Sequence, residues 1–174
     1  LFRSEKVVFA GQHRGGVQVR SGRFDAESSG FETRAPETVG LVLEAPPEAS
    51  GPPVSPRTTS LRDTHFTGPF RRAVRVRGAE AFATLEGITV SGAVSALGMD
   101  GGHAEVRRSS AQGGEGAAFS VVEGTLILED VRVMGYEVAL SAMHSPRLEV
   151  RGLLADDARI SPARGDGLGG RGAA

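Results

Sequence analysis

The sequence predicts an all-β fold, a parallel β-helix (solenoid) of about seven coils of about 22 residues each. Three observations predict it: short alternating apolar runs without helical periodicity, a gapless internal repeat, and a recurring Gly/Asp position inside that repeat.

Composition already turns against helix. The 174 residues include 25 glycines and nine prolines, the residues least compatible with helix interiors. No segment sustains an i, i+3, i+4, i+7 apolar pattern. Instead the runs Val17-Gln-Val19, Leu41-Val-Leu43, Ala73-Val-Arg-Val76, Ile88-Thr-Val90, Leu126-Ile-Leu128, Val131-Arg-Val133 and Leu148-Glu-Val150 alternate as strands do, between Gly-rich turns.

Four segments align without gaps: TLEGITVSG from Thr84, EVRRSSAQG from Glu105, ILEDVRVMG from Ile127 and EVRGLLADD from Glu149, with starts 21, 22 and 22 residues apart. SLRDTHFTG from Ser60 fits the same frame, and two weaker copies are placed at Thr38 and Gly16, bringing Val39 and Val17 into the first apolar column. That column otherwise reads Leu61, Leu85, Val106, Leu128, Val150; three positions on stand Thr64, Ile88, Ser109, Val131, Leu153; two further on, Phe66, Val90, Ala111, Val133, Ala155. All three columns are expected to face inward. Gly68, Gly92, Gly113 and Gly135 close the repeat, broken only by Asp157.

Side chains alternate along a straight strand, so Leu128 and Val131, three apart, cannot both face a core. Between the first two columns come Asp63, Gly87, Arg108, Asp130 and Gly152, mostly residues that enter left-handed conformations at low cost. A sharp corner is expected there. Each coil is then strand, corner, strand, Gly turn and a looser return with a third strand, such as Ala117–Val121 or Val138–Met143. The outward residues before the corner, Arg62, Glu86, Arg107, Glu129 and Arg151, alternate in sign, as an in-register parallel stack favours. Stacked at about 4.8 Å, seven coils make a rod of roughly 34 Å.

With these columns the chain resembles right-handed β-helix proteins of the pectate-lyase-like superfamily, well over residues 60–157 and poorly over 16–59. The whole of 1–174 is read as a single β-helix domain. Its early part is an irregular 16–59 carrying a Pro-rich excursion over 45–57, with five of the nine prolines, which a central strand would not tolerate. Residues 158–174 form a Gly/Arg-rich C-terminal segment with too little apolar mass to cap a solenoid end. The open end is expected to meet further chain, another domain or another subunit. Leu1 in place of Met suggests a processed or excised piece.

Several function classes are excluded. The net charge of −1 and pI near 6.5 argue against nucleic acid as partner. Cysteine is absent, removing disulfides, thiolate metal sites and thiol nucleophiles. No apolar run is long enough to span a bilayer. Lys6 is the only lysine beside 19 arginines, a bias that reads as the codon usage of a GC-rich genome.

Superfamily members that act on acidic polysaccharides imply an outer-face lyase, hydrolase or epimerase site of carboxylates with Arg or Lys, often with Ca²⁺. Arg107, Arg132 and Arg151 are the outward arginines available, but the first and last belong to the charge ladder. Asp156-Asp157 reads as a solvated corner, and Asp63 and Asp130 lie too many coils apart to share an ion. His13, His65, His103 and His144 have no zinc-ligand spacing; Asp63-Thr-His65 and Asp100-Gly-Gly-His103 read as polar turns. Gly113–Gly116 precedes no helix, no GxSxG occurs, and Arg164-Gly165-Asp166 is a tripeptide that Gly/Arg-rich sequence produces by chance. With no Trp, one tyrosine (Tyr136) and eight phenylalanines, several of them inward, few aromatic platforms remain for sugars.

The expectation is therefore a non-catalytic rigid domain of a bacterial surface or secreted protein, located extracellularly or at the cell surface, serving for display, spacing or binding. No catalytic, cofactor-binding or metal residue is assigned, and no cofactor is expected. Partners are other domains or subunits at the solenoid ends, with polysaccharide as a further candidate. The alternatives are a fragment of a polysaccharide-active enzyme and a self-stacking structural solenoid.

Overall fold

The computed structural model of the chain describes residues 2–10, 16–20, 22–44, 57–144, 146–156 and 158–161. The first coil is β1 (Phe2–Glu5), β2 (Val8–Phe9) and β3 (Val17–Val19); the second is β4 (Arg23–Glu27), β5 (Gly30–Glu32) and β6 (Val39–Glu44). The third is β7 (Arg57–Arg62), β8 (His65–Thr67) and β9 (Arg72–Arg77), and the fourth β10 (Ala81–Glu86), β11 (Thr89–Ser91) and β12 (Leu97–Asp100). In the fifth, β13 (His103–Arg107) precedes β14 (Ser110–Val121), which rounds a corner without a break; β15 (Thr125–Ala142) makes the whole sixth coil. β16 (Arg147–Asp156) and β17 (Arg159–Ser161) complete the seventh.

Every pairing is parallel and joins a strand to its counterpart in the next coil. On the first face the register runs Phe2, Phe24, Thr59, Ala83, Ala104, Leu126, Leu148, so six full turns separate its first and last rungs. The described residues contain no helix. The architecture is a parallel β-solenoid.

The corner is where the columns predict it. Lys6, Ser28, Asp63, Gly87, Arg108, Asp130 and Gly152 all have left-handed φ, between 45° and 68°. Even Arg108, whose side chain disfavours that conformation, bends as its neighbours do. Leu128 and Val131 are consequently both buried, at 0% and 1% exposure. Where the residue after the corner is polar, its hydroxyl folds back on the bend: Ser29, Thr64 and Ser109 donate to the carbonyls of Glu27, Arg62 and Arg107 at 2.9, 2.9 and 2.7 Å. Ser109 also accepts the Ile88 amide at 3.0 Å. These buried polar atoms are satisfied within the corner itself.

The first two coils correct the sequence reading. Val17 and Val39 do not belong to the first apolar column; they lie in β3 and β6 on the third face, Val17 opposite Leu41 and Val39 opposite Arg72. The true counterparts of Ser60 are Asp25 and Arg3, so regular coils begin at Phe2. Of the Pro-rich excursion, residues 45–56 lie outside the described residues. Arg57 is already the first residue of β7, buried, its Nε donating to the Arg20 carbonyl at 2.6 Å.

The core is graded along the axis. Phe9, Phe31 and Phe66 stack ring on ring, with centroids 4.8 and 4.6 Å apart, and the same column continues as Val90, Ala111 and Val133. In the later coils Tyr136 restores the lost volume. Its ring lies against Gly114 in the fifth coil, where a Cβ would collide with it, and its hydroxyl donates to the Ala93 carbonyl of the fourth coil at 2.9 Å. Burial pushes this phenol up to about 12.

Candidate functional site

Outward side chains on a parallel stack meet their counterparts one coil away, so the exterior is a set of lateral columns. The Arg62, Glu86, Arg107, Glu129, Arg151 column is in register throughout. Ion pairs close between Arg62 and Glu86 at 3.8 Å and between Arg107 and Glu129 at 3.2 Å. Arg107 also reaches Glu105 at 3.1 Å, Glu86 takes a second partner in Arg108, and Arg151 turns to Glu149 of its own strand. Arg132 is exposed on the second face, in register with Ser110 and Leu154, away from Arg107 and Arg151.

Upstream of this ladder the first three coils form a cleft of about 340 Å³ lined by Arg3, Arg23, Asp25, Glu27, Ser60 and Arg62. Arg23 pairs with Asp25 at 2.8 Å and Arg3 with Glu27 at 3.5 Å. Ser4, between Arg3 and Glu5, alternates inward and is buried, its Oγ without a partner among the described residues. Each of the cleft's three arginines is paired, Arg62 with Glu86 of the ladder. Its carboxylates are each held by an arginine, which leaves no free base. Sequence reasoning missed all of these residues except Ser60 and Arg62, because Arg3 and Arg23 come together with them only through the register.

The histidine pairs separate. His65 lies across Gly30 of the preceding coil, while the Asp63 carboxylate lies over Gly87 of the following one. Asp130 sits over Gly152 in the same way. Asp100 is held by Arg75 at 2.8 Å, whereas His103 contacts Glu105 at 3.3 Å and packs beside the exposed ring of Phe82. His144 is exposed at a left-handed turn. His13, Asp157 and Arg164-Gly165-Asp166 lie outside the described residues; Asp156 ends β16 exposed. Gly113–Gly116 runs within β14.

The third face carries a second basic group. Arg71 pairs with Glu37 at 3.3 Å and Arg77 with Glu44 at 3.2 Å. Arg72 lies over Gly98, its guanidinium pKa lowered by burial first and by Arg75 next. Among the described residues no group of three or more His, Asp or Glu side chains could hold a metal ion, and no helix is long and apolar enough to cross a membrane.

Comparison with protein-family models, with curated proteins and with solved structures finds no match for this chain.

Proposed function

We propose that the chain is a non-catalytic, rigid scaffold, a right-handed coil of the pectate-lyase-like kind that spaces or displays other parts of a bacterial surface or secreted protein. The observation that carries this reading is that ten of the outward carboxylates are drawn into ion pairs. Asp25, Glu27, Glu37, Glu44, Glu86, Asp100, Glu105, Glu129, Glu137 and Glu149 each face an arginine within ion-pair distance. A hydrolytic or eliminating site needs an acid or base free to exchange a proton with substrate, and these groups are held in ion pairs instead, Asp25, Glu105 and Glu149 within their own strands and the rest between neighbouring coils. The right-handed sense accords with the general hand of parallel crossovers.

One feature favours a second reading, a fragment of a polysaccharide-active enzyme: the arginine-lined cleft between Arg3 and Arg62. Incubation with uronate-containing polysaccharides, with and without Ca²⁺, separates the two. The scaffold reading expects saturable binding at most. Formation of unsaturated or shortened products, lost on Arg62→Ala, overturns it.

A further inference from the structure

The first and last coils of the described residues are complementary to each other. In the first described coil Phe2 and Val7 are 58% and 39% exposed; in the last, Leu148, Val150 and Ile160 are 38%, 43% and 59% exposed. These are core-column positions left uncovered. Placing the first coil of one molecule on the last coil of another, in the register that runs through the stack, sets Phe2 on Leu148, Ser4 on Val150, Phe9 on Ala155 and Val17 on Ile160. Outside, the same register brings Arg3 against Glu149 and Glu5 against Arg151, opposite charges at both positions. The backbone series continues as well. Corner amides of Lys6, Ser28, Asp63, Gly87 and Arg108 each donate to the pre-corner carbonyl of the next coil; extended by one step, Gly152 donates to the Glu5 carbonyl of the next molecule.

We propose that this chain stacks head to tail with further copies of itself, the last coil of one templating the first coil of the next. The contact is heterologous, so it propagates rather than closing as a dimer. A two-fold contact between like ends would reverse strand direction and exchange two of the three faces, losing the match on them. The inference is independent of the scaffold reading, because an enzyme would stack through the same ends.

The test uses the full chain and two charge-swapped forms, one with Arg3→Glu and Glu5→Arg, the other with Glu149→Arg and Arg151→Glu. Sedimentation velocity should show mass growing with concentration for the parent, and electron microscopy rods with an axial repeat of roughly 34 Å. Each swapped form alone meets like charge at both positions, which should raise the half-assembly concentration roughly tenfold. An equimolar mixture restores both pairs at every junction of a rod in which the two forms alternate and should assemble like the parent. A parent that stays monomeric at every concentration, or stops at a dimer, or swapped forms whose mixture fails to recover, overturns the proposal.

Discussion

Alkaline pH addresses one side chain of this protein with unusual selectivity. The chain has a single tyrosine, no cysteine and a single lysine, Lys6, so the phenolate signal belongs to Tyr136 alone. In the unfolded chain that phenol ionises near 10.0; in the fold burial raises it to about 12. The folded state therefore keeps its proton where the unfolded state has lost it. The stabilisation is complete below pH 10.0 and is lost as pH rises through the folded value near 12. At about 1.4 kcal/mol per unit, the loss amounts to roughly 2 to 3 kcal/mol of unfolding free energy. Phenolate absorbance, with circular dichroism reporting the fold, should show a midpoint near 12 for the native protein and near 10.0 in denaturant. Urea unfolding of Tyr136→Phe should lack this alkaline decline, while losing about 1 kcal/mol at neutral pH for the missing bond to Ala93. Phenolate forming at ordinary tyrosine pH with the β signal intact would refute the burial of Tyr136.

Three further positions, one of them with its neighbour Asp63, probe the rest of the coil. Leu128→Ala, at a fully buried position, should lower the unfolding free energy by about 3 kcal/mol in chemical denaturation. Gly87→Ala places a Cβ at φ 64° against the Asp63 carboxylate and should cost about 1 to 2 kcal/mol; adding Asp63→Ala should recover only the steric part, read from a double-mutant cycle. Arg108→Gly removes a side chain from φ 46° and should gain up to about 1 kcal/mol by thermal melting, less the small exposed pair with Glu86.

From Ser60 onward the sequence displayed its fold because coils of nearly constant length kept inward, corner and outward residues in fixed columns. The earlier coils were hidden for two reasons. Phe24 and Thr59, neighbours in register, are 35 residues apart, which breaks the period. Lys6 and Ser28 occupy corners without the Gly or Asp that marks most of the later ones, and Ser4 and Ser29 are buried without being apolar. The phenylalanines at 9, 31 and 66 were the available signal, since aromatic residues one coil apart stack. The arginine-lined cleft was beyond reach for the same reason: its walls come from three coils, and an error in register moves a side chain to the wrong face.

Glu44 and Arg57 bracket the break in that period, yet both hold regular places in the stack, opposite Arg77 and Ala81. Rungs are thus addressed by what lies above and below them, and the length of chain between two rungs is a free variable. Evolution, or an engineer, can splice cargo at such a junction without renumbering the lattice. In that sense the molecule is a chassis whose sequence can grow sideways while its axial dimension stays fixed.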